Sequence, residues 1–159
     1  MKTSTPAKQI AKVSKLRRIS RILDSAVTIP GTKLSFGLDP ILGLLPGGGD
    51  TITGGISAYI VISAARMGIP REILGQMVGN IILDSLAGTI PILGDLFDVG
   101  WKSNIKNIEL LEKHLEIAEP SKTDTLFILG LILLLAVIVL GFATITFFSV
   151  KFFWGLISQ

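Results

Sequence analysis

Cysteine is absent from the 159-residue sequence, and histidine occurs once, as His114. The chain can therefore form no disulfide, zinc–thiolate site or iron–sulfur cluster, and one histidine cannot build a multi-histidine metal site. Enzymatic motifs are lacking too. The glycine run at residues 47–49 has no Lys-Ser/Thr partner of a phosphate-binding loop, and no G-x-S-x-G or H-E-x-x-H sequence occurs. These absences predict a protein that is not an enzyme and binds no cofactor.

Charged residues are scarce as well. They make up 17% of the chain, whereas hydrophobic residues make up 49% and the mean hydropathy is +0.66. Soluble domains carry about 25% charged residues. The composition excludes a disordered chain, which lacks enough apolar residues to bury, and it argues against an ordinary soluble domain. We interpret it as the composition of a membrane protein.

From Thr125 to Val150 the sequence has no charged residue. A helix over these residues is about 39 Å long, enough to cross a hydrocarbon core of about 30 Å with some tilt. Lys151 and three aromatic residues at 152–154 follow, and aromatic residues favour the membrane interface. We therefore predict a transmembrane helix over residues 125–150. Because lysine and arginine concentrate before it, we expect the N-terminal part in the cytoplasm and the C-terminus outside.

The basic residues concentrate at the N-terminus. Seven lysines and arginines and no acidic residue precede Asp24, whereas the rest of the chain is net negative. Apolar residues recur among them at steps of three and four, at Ile10, Val13, Leu16, Ile19 and Leu23. Residues 1–22 are thus typical of a basic amphipathic helix, which either contacts anionic lipid through residues 8–21 or packs its apolar stripe on the rest of the domain. Without interleaved aromatic residues, we expect no binding to nucleic acid.

Two segments repeat one pattern at an offset of 45 residues. Residues 38–50, LDPILGLLPGGGD, and 83–95, LDSLAGTIPILGD, share L-D-x3-G-x2-P-x2-G-D, which we interpret as duplication of one supersecondary unit. Proline and glycine break each unit, and the aspartate that follows is a good helix N-cap. We therefore predict a helical domain over residues 23–118, with repeat units near 38–70 and 83–117.

Each unit places apolar helices beside its break. The expected helices run from about residue 51 to 67, capped by Asp50, and from 73 to 88, with another helix after the break. Short apolar segments interrupted by glycine and proline are typical of broken membrane helices, and a compact helical domain packed on itself contains them too. Whether residues 41–66 and 73–94 enter the membrane stays open at this point.

Acidic residues gather around these breaks, with Asn104 and Asn107 nearby. Carboxylate oxygens suit hard cations such as Mg²⁺ or Ca²⁺. The candidate metal ligands are Asp39, Asp50, Asp84, Asp95 and Asp98. Aspartate is also a common N-cap, so capping is the simpler explanation for most of these residues.

Several motifs of the central region occur in order. They are I-P-G-T at residues 29–32, G-L-D-x3-G-L-x-P-G-x-G-D at 37–50, G-D-x-F-D at 94–98, and N-x-x-N from Asn104 to Asn107. In these motifs the sequence resembles the domain-of-unknown-function 4112 family, from Leu23 to His114. Gly48 is a departure, since the family more often has a larger residue there. The resemblance implies a small prokaryotic protein associated with the plasma membrane, and it implies no activity.

The expected fold is all-α, with a helical domain of two glycine- and proline-broken repeats and one C-terminal transmembrane helix. The function that fits best is a non-catalytic membrane protein whose helical domain binds lipid or a partner protein. The alternative is a small ion or solute pathway, built from the two repeats in a homo-oligomer. A metal-dependent enzyme using the five aspartates ranks last, because the sequence offers no general base other than His114. The expected partners are the lipid bilayer, anionic lipid and further copies of the chain.

Overall fold

The structure is a computed structural model, and it describes residues 6–25, 27–28, 35–36, 49–88, 101–115 and 124–157. The helices in these ranges are α1 (Pro6–Ser25), α2 (Gly49–Arg66), α3 (Arg71–Gly88), α4 (Ser103–His114) and α5 (Thr125–Ile157). Two short strands, β1 (Val27–Thr28) and β2 (Ser35–Phe36), pair antiparallel. The predicted all-α class is confirmed, and this small β-ladder is an addition to it that the sequence pattern did not indicate.

The turn between α2 and α3 follows from two residues. Gly68 has φ 87°, a left-handed conformation that favours glycine. The backbone N–H of Ile69 donates to Ala64, and that of Gly68 donates to Ala65, which together form a Schellman C-cap. The carbonyl of Pro70 then accepts the first hydrogen bonds of α3. The turn makes α2 and α3 an antiparallel hairpin, with the ends close to those expected from the sequence.

The helices pack in layers. α1 contacts α4, α4 contacts both helices of the α2–α3 hairpin, and α5 contacts the opposite side of that hairpin. One hydrophobic core runs through all five helices, and each helix contributes at least one deeply buried member: Leu16, Ile60, Met77, Ile108 and Leu135. The basic helix α1 and the apolar helix α5 therefore lie on opposite sides of the core.

One side of α5 belongs to this core. Ile128, Leu131, Leu135, Val139 and Ala143 are buried at steps of three and four residues, whereas the opposite side is exposed from Leu126 to Trp154. By length and composition, Thr125–Gly155 is the one helix in the described ranges that could cross a membrane. The predicted spanning helix is thus present, and it is also a packed member of the domain.

The apolar stripe of α1 packs inward. Val13, Leu16 and Leu23 are buried, whereas Ile10 at the start of the helix is 64% exposed. Of the two readings offered by the sequence, packing on the domain is the one that the structure contains. It leaves most of the basic side chains of α1 outside the core, and contact of these side chains with lipid stays a prediction.

The predicted repeat units are described only in part. α2 begins at Gly49, so Asp50 lies in the first turn and does not precede the helix as an N-cap. The comparison of the two repeat units depends on residues 38–48 and 89–95, which lie outside the described residues, so the duplication stays a prediction.

Candidate functional site

Asp24 links the end of α1 to the start of α4. Its carboxylate is buried, with 6% of the residue exposed. Oδ2 accepts a hydrogen bond from the backbone N–H of Ile105 at 2.9 Å, and Oδ1 accepts one from Nδ2 of Asn104 at 2.8 Å. Lys102, which precedes α4, makes no side-chain capping bond to the helix. Asp24 therefore supplies the N-terminal cap of α4 from a different helix.

Lys102, just before α4, makes a second contact with the end of α1. Its Nζ donates to the backbone carbonyl of Asp24 at 2.9 Å and to Oγ of Ser25 at 2.7 Å. A cation at the C-terminal end of α1 is favourable for the helix dipole. Burial lowers the pKa of Lys102 from its ordinary value, and the negative charge of Asp24 partly opposes that shift. The ends of α1 and α4 are thus held together by two oppositely charged side chains.

Asn104 extends this contact to α2. The side chain is almost fully buried, and its Oδ1 accepts a hydrogen bond from the hydroxyl of Ser57 at 2.7 Å. Because its Nδ2 bonds to Asp24, this one amide joins α1, α4 and α2. The bonds satisfy polar atoms that would be costly to bury alone.

Asn107, one turn further along α4, contacts α3. It is fully buried, and its Nδ2 donates to the backbone carbonyl of Met77 at 3.2 Å. Its Oδ1 accepts from Nδ2 of Asn80 at 2.8 Å. Residues three apart share a helix face. From the same side of α4, Asn104 therefore bonds to α2 and Asn107 bonds to α3.

The predicted acidic site can be followed only in part. Asp39, Asp95 and Asp98 lie outside the described residues, and Asp50 is described only as a backbone position in the first turn of α2. Asp84 is half-buried near the end of α3. Among the residues whose placement is described, no group of three histidine, aspartate or glutamate side chains could hold a metal ion. Cation binding by the five aspartates therefore stays a prediction.

The sequence pattern does not indicate that Asp24 and Ser57 belong to the buried network. It marks Asn104 and Asn107 as a motif, but it associates them with the acidic cluster. The available signal was their spacing on α4, since a polar pair on one otherwise apolar side of a helix needs buried partners.

A basic groove runs along the outer side of α1, with a volume of about 380 Å³. It is lined by Ser14, Arg17, Arg18, Arg21, Ile22 and Ser25. The guanidinium of Arg17 forms a two-point ion pair with Glu112 of α4, with Nε 2.6 Å from Oε1 and Nη2 on Oε2. Hydrogen bonding to Glu112 raises the pKa of Arg17 above its ordinary value. Arg18 and Arg21 are exposed and pair with no acidic side chain in the described part of the chain.

A second groove, with a larger volume of about 530 Å³, lies between α3 and α4. It is lined by Gln76, Gly79, Asn80, Leu83, Lys106, Glu109, Leu110 and Lys113. Lys106 places its Nζ 3.0 Å from the centre of the Trp101 ring, a cation–π contact. The charges on this groove have both signs, unlike the basic groove on α1.

The family model described as "Domain of unknown function (DUF4112)" matches residues 12–115. The match begins inside α1, earlier than the resemblance in the motifs suggests, and it ends just after α4. It therefore covers most of α1 together with the hairpin and α4, and it leaves α5 outside. Comparisons with curated proteins and with solved structures give no match.

Proposed function

The chain belongs to the domain-of-unknown-function 4112 family, and on that premise we propose that it is a non-catalytic integral membrane protein. In this proposal α5 anchors the chain in the plasma membrane, and the α1–α4 bundle is a binding domain that faces the cytoplasm and packs along α5 with its α2–α3 hairpin. Anionic lipid is the binding partner that we propose for this domain.

The observation that carries the proposal is the exposed side of α5. Leu129 is 57% exposed, Leu133 66% and Leu140 58%, and they belong to an apolar surface that continues along the helix. Apolar patches larger than a few hundred Å² are rare on monomeric soluble proteins and mark contact with a membrane or another protein. Lipid is the simplest cover, because the segment has the length and hydropathy of a membrane span.

The packing of α2 on α5 supports a position of the domain close to the bilayer. Gly54 lies so close to Val139 that an added Cβ would stand 2.8 Å from Cγ1. Beyond the C-terminal end of α2, Arg71 begins α3. Its guanidinium lies 4.4 Å from the centre of the ring of Phe127, near the start of α5. α2 therefore runs antiparallel to α5, and its N-terminal half lies beside the middle of the proposed span. Residues 51–65 of α2 carry no charge, as such a position requires.

Cysteine labelling tests this proposal cleanly, because the chain has no native cysteine. Single cysteines replace Ala7, Leu140 and Gly155, all of which are exposed on the protein. We expect an impermeant maleimide to label position 7 from the cytoplasmic side only and position 155 from the outside only. Position 140 should be protected in the membrane and reactive in SDS, because lipid and not protein covers it. Alkaline carbonate should leave the chain in the membrane.

Two results would contradict the proposal. One is labelling of positions 7 and 155 from the same side, and the other is release of the chain by carbonate. Either result would make α5 the apolar helix of a protein–protein assembly.

One observation favours an ion or solute pathway as a second candidate. Asp50 lies one turn before Gly54, so the antiparallel packing places its backbone beside the middle of α5. An ionisable residue at membrane depth is a functional candidate. A flux of ions into proteoliposomes that is abolished by Asp50→Asn would support this second function, and the absence of flux from the parent chain would remove it.

A further inference from the structure

We propose that the basic groove on α1 is a binding site for the phosphate of an anionic phospholipid. This inference rests on the proposed membrane function and names the site and the chemistry of its ligand. The ligand is a lipid headgroup and not a free anion, because the groove is open along its length and belongs to a domain that packs against the apolar helix α5.

The residue types of the groove suit a phosphate. Arg17, Arg18 and Arg21 supply three guanidinium groups within about one helical turn, and arginine binds phosphate through paired N–H donors. Ser14 adds a hydroxyl donor. Ile22 gives the groove an apolar side that can contact the glycerol and upper acyl region of a lipid.

Glu112 orients Arg17, one of the residues that line the groove. Its two-point ion pair holds Arg17 through Nε and one terminal nitrogen, which leaves the other terminal nitrogen for a ligand. The carboxylate cancels part of the positive charge, so most of the attraction must come from Arg18 and Arg21. These two side chains are exposed and unpaired within the described residues, and binding a phosphate breaks no ion pair of theirs.

Hydrogen bonds connect the groove helix to the hairpin that packs on α5. Asp24, one turn after the groove arginines, is bonded to Asn104, and Asn104 is bonded to Ser57. Ser57 lies one turn after Gly54, which abuts Val139 in α5. The helix that carries the groove is therefore connected, through α4 and α2, to the proposed membrane anchor α5.

The test uses the full chain in nanodiscs of phosphatidylcholine mixed with increasing fractions of phosphatidylglycerol. A fluorophore on Ile22→Cys, the only cysteine, reports quenching by phosphatidylglycerol that carries a nitroxide near its headgroup. The groove variant is Arg18→Gln/Arg21→Gln. The matched control is Lys8→Gln/Lys15→Gln, which removes the same charge from exposed positions of the same helix outside the groove.

We expect the groove variant to need about fivefold more phosphatidylglycerol for each arginine removed, the factor that corresponds to about 1 kcal/mol per basic residue. The control should shift the titration by much less. Circular dichroism should show equal helix content, because all four substituted side chains are exposed.

Three outcomes would overturn the site. The groove variant and the control could shift the titration equally, which would indicate that the positive charge of α1 as a whole, and not the groove, attracts the anionic lipid. Nitroxide-labelled phosphatidylcholine could quench as strongly as the anionic lipid. Inorganic phosphate could relieve the quenching where chloride of equal ionic strength does not, which would assign the groove to a free anion. Membrane insertion does not depend on Arg18 or Arg21, so an inserted chain that fails this test overturns the lipid site and leaves the proposed function standing.

Discussion

Replacing Gly54 by alanine tests the contact between α2 and α5 most directly. A Cβ at this position would stand 2.8 Å from Cγ1 and 3.0 Å from Cγ2 of Val139. Valine is stiff at χ1, so its methyl groups cannot move aside without a backbone shift. The adjacent Gly55 has no neighbouring atom within 4 Å of an added Cβ, and it is therefore a matched control on the same helix.

Two opposing effects set the size of the change. Alanine is better than glycine inside a helix by about 1 kcal/mol. Overpacking a close contact costs about 1–3 kcal/mol. Gly54→Ala should therefore lower the free energy of unfolding by up to about 2 kcal/mol, whereas Gly55→Ala should raise it by up to about 1 kcal/mol because only the helix preference acts.

Val139→Ala turns this difference into a double-mutant cycle. With the valine methyl groups removed, alanine at position 54 should stabilise the chain as it does at position 55. The expected coupling between positions 54 and 139 is about 1–3 kcal/mol, and between 55 and 139 it is close to zero. The cycle subtracts the separate cost of shortening Val139, so that cost need not be known.

The free energies are measured by SDS titration of the purified chain in a mild detergent, followed by circular dichroism. The parent, the three single variants and the two double variants are compared at one detergent concentration. If Gly54→Ala and Gly55→Ala have the same effect with valine and with alanine at 139, α2 does not pack on α5. The domain would then lack the helix contact that holds it beside the proposed membrane span.

Three further predictions concern polar residues. Asn107→Leu should lower the free energy of unfolding by about 1–3 kcal/mol because it removes the hydrogen bonds of a fully buried amide to Met77 and to the half-buried Asn80, and the added change Asn80→Leu should recover part of the loss in the same titration. The pKa of Lys102 is lower in the folded chain than in the unfolded one, so the unfolded chain binds more protons between the two values. Stability should therefore rise as the pH approaches 10.5 from below, and chemical denaturation of Lys102→Gln should lack that part of the rise. Asp50→Asn should cost about 0.3–1 kcal/mol by weakening the interaction with the helix dipole, and a larger loss that a divalent cation reverses in the parent would assign the charge to a cation site.

The sequence was sufficient to predict elements that are marked locally. The charge-free run from Thr125 to Val150 marks α5, and Gly68 with Pro70 marks the turn of the hairpin. The period of three and four residues marks α1, although it could not say what covers the apolar stripe. These signals are local because helix formation, capping and chain reversal depend on residues a few positions apart.

The buried network could not be predicted in the same way. Asp24 and Asn104 are 80 residues apart, and Ser57 and Asn104 are 47 residues apart. Spacing along the chain carries no information about such pairs, and the cap of α4 comes from a helix that the sequence reading treated as a separate segment. The packed side of α5 was hidden for a different reason, because a helix that is apolar all round has no pattern to show which side faces protein.

The two asparagines of α4 have a role that apolar residues could not replace. Ile108 and Leu111 on the same helix could pack on the hairpin at more than one register, since one apolar contact resembles another. A buried amide finds its partners in one register only, and a shift by one turn would leave Asn104 and Asn107 without them. The register of α4 in turn fixes α1 through Asp24, and so it fixes the position of the basic groove on the domain. Loss of these amides should therefore disturb the position of the groove before it unfolds the helices.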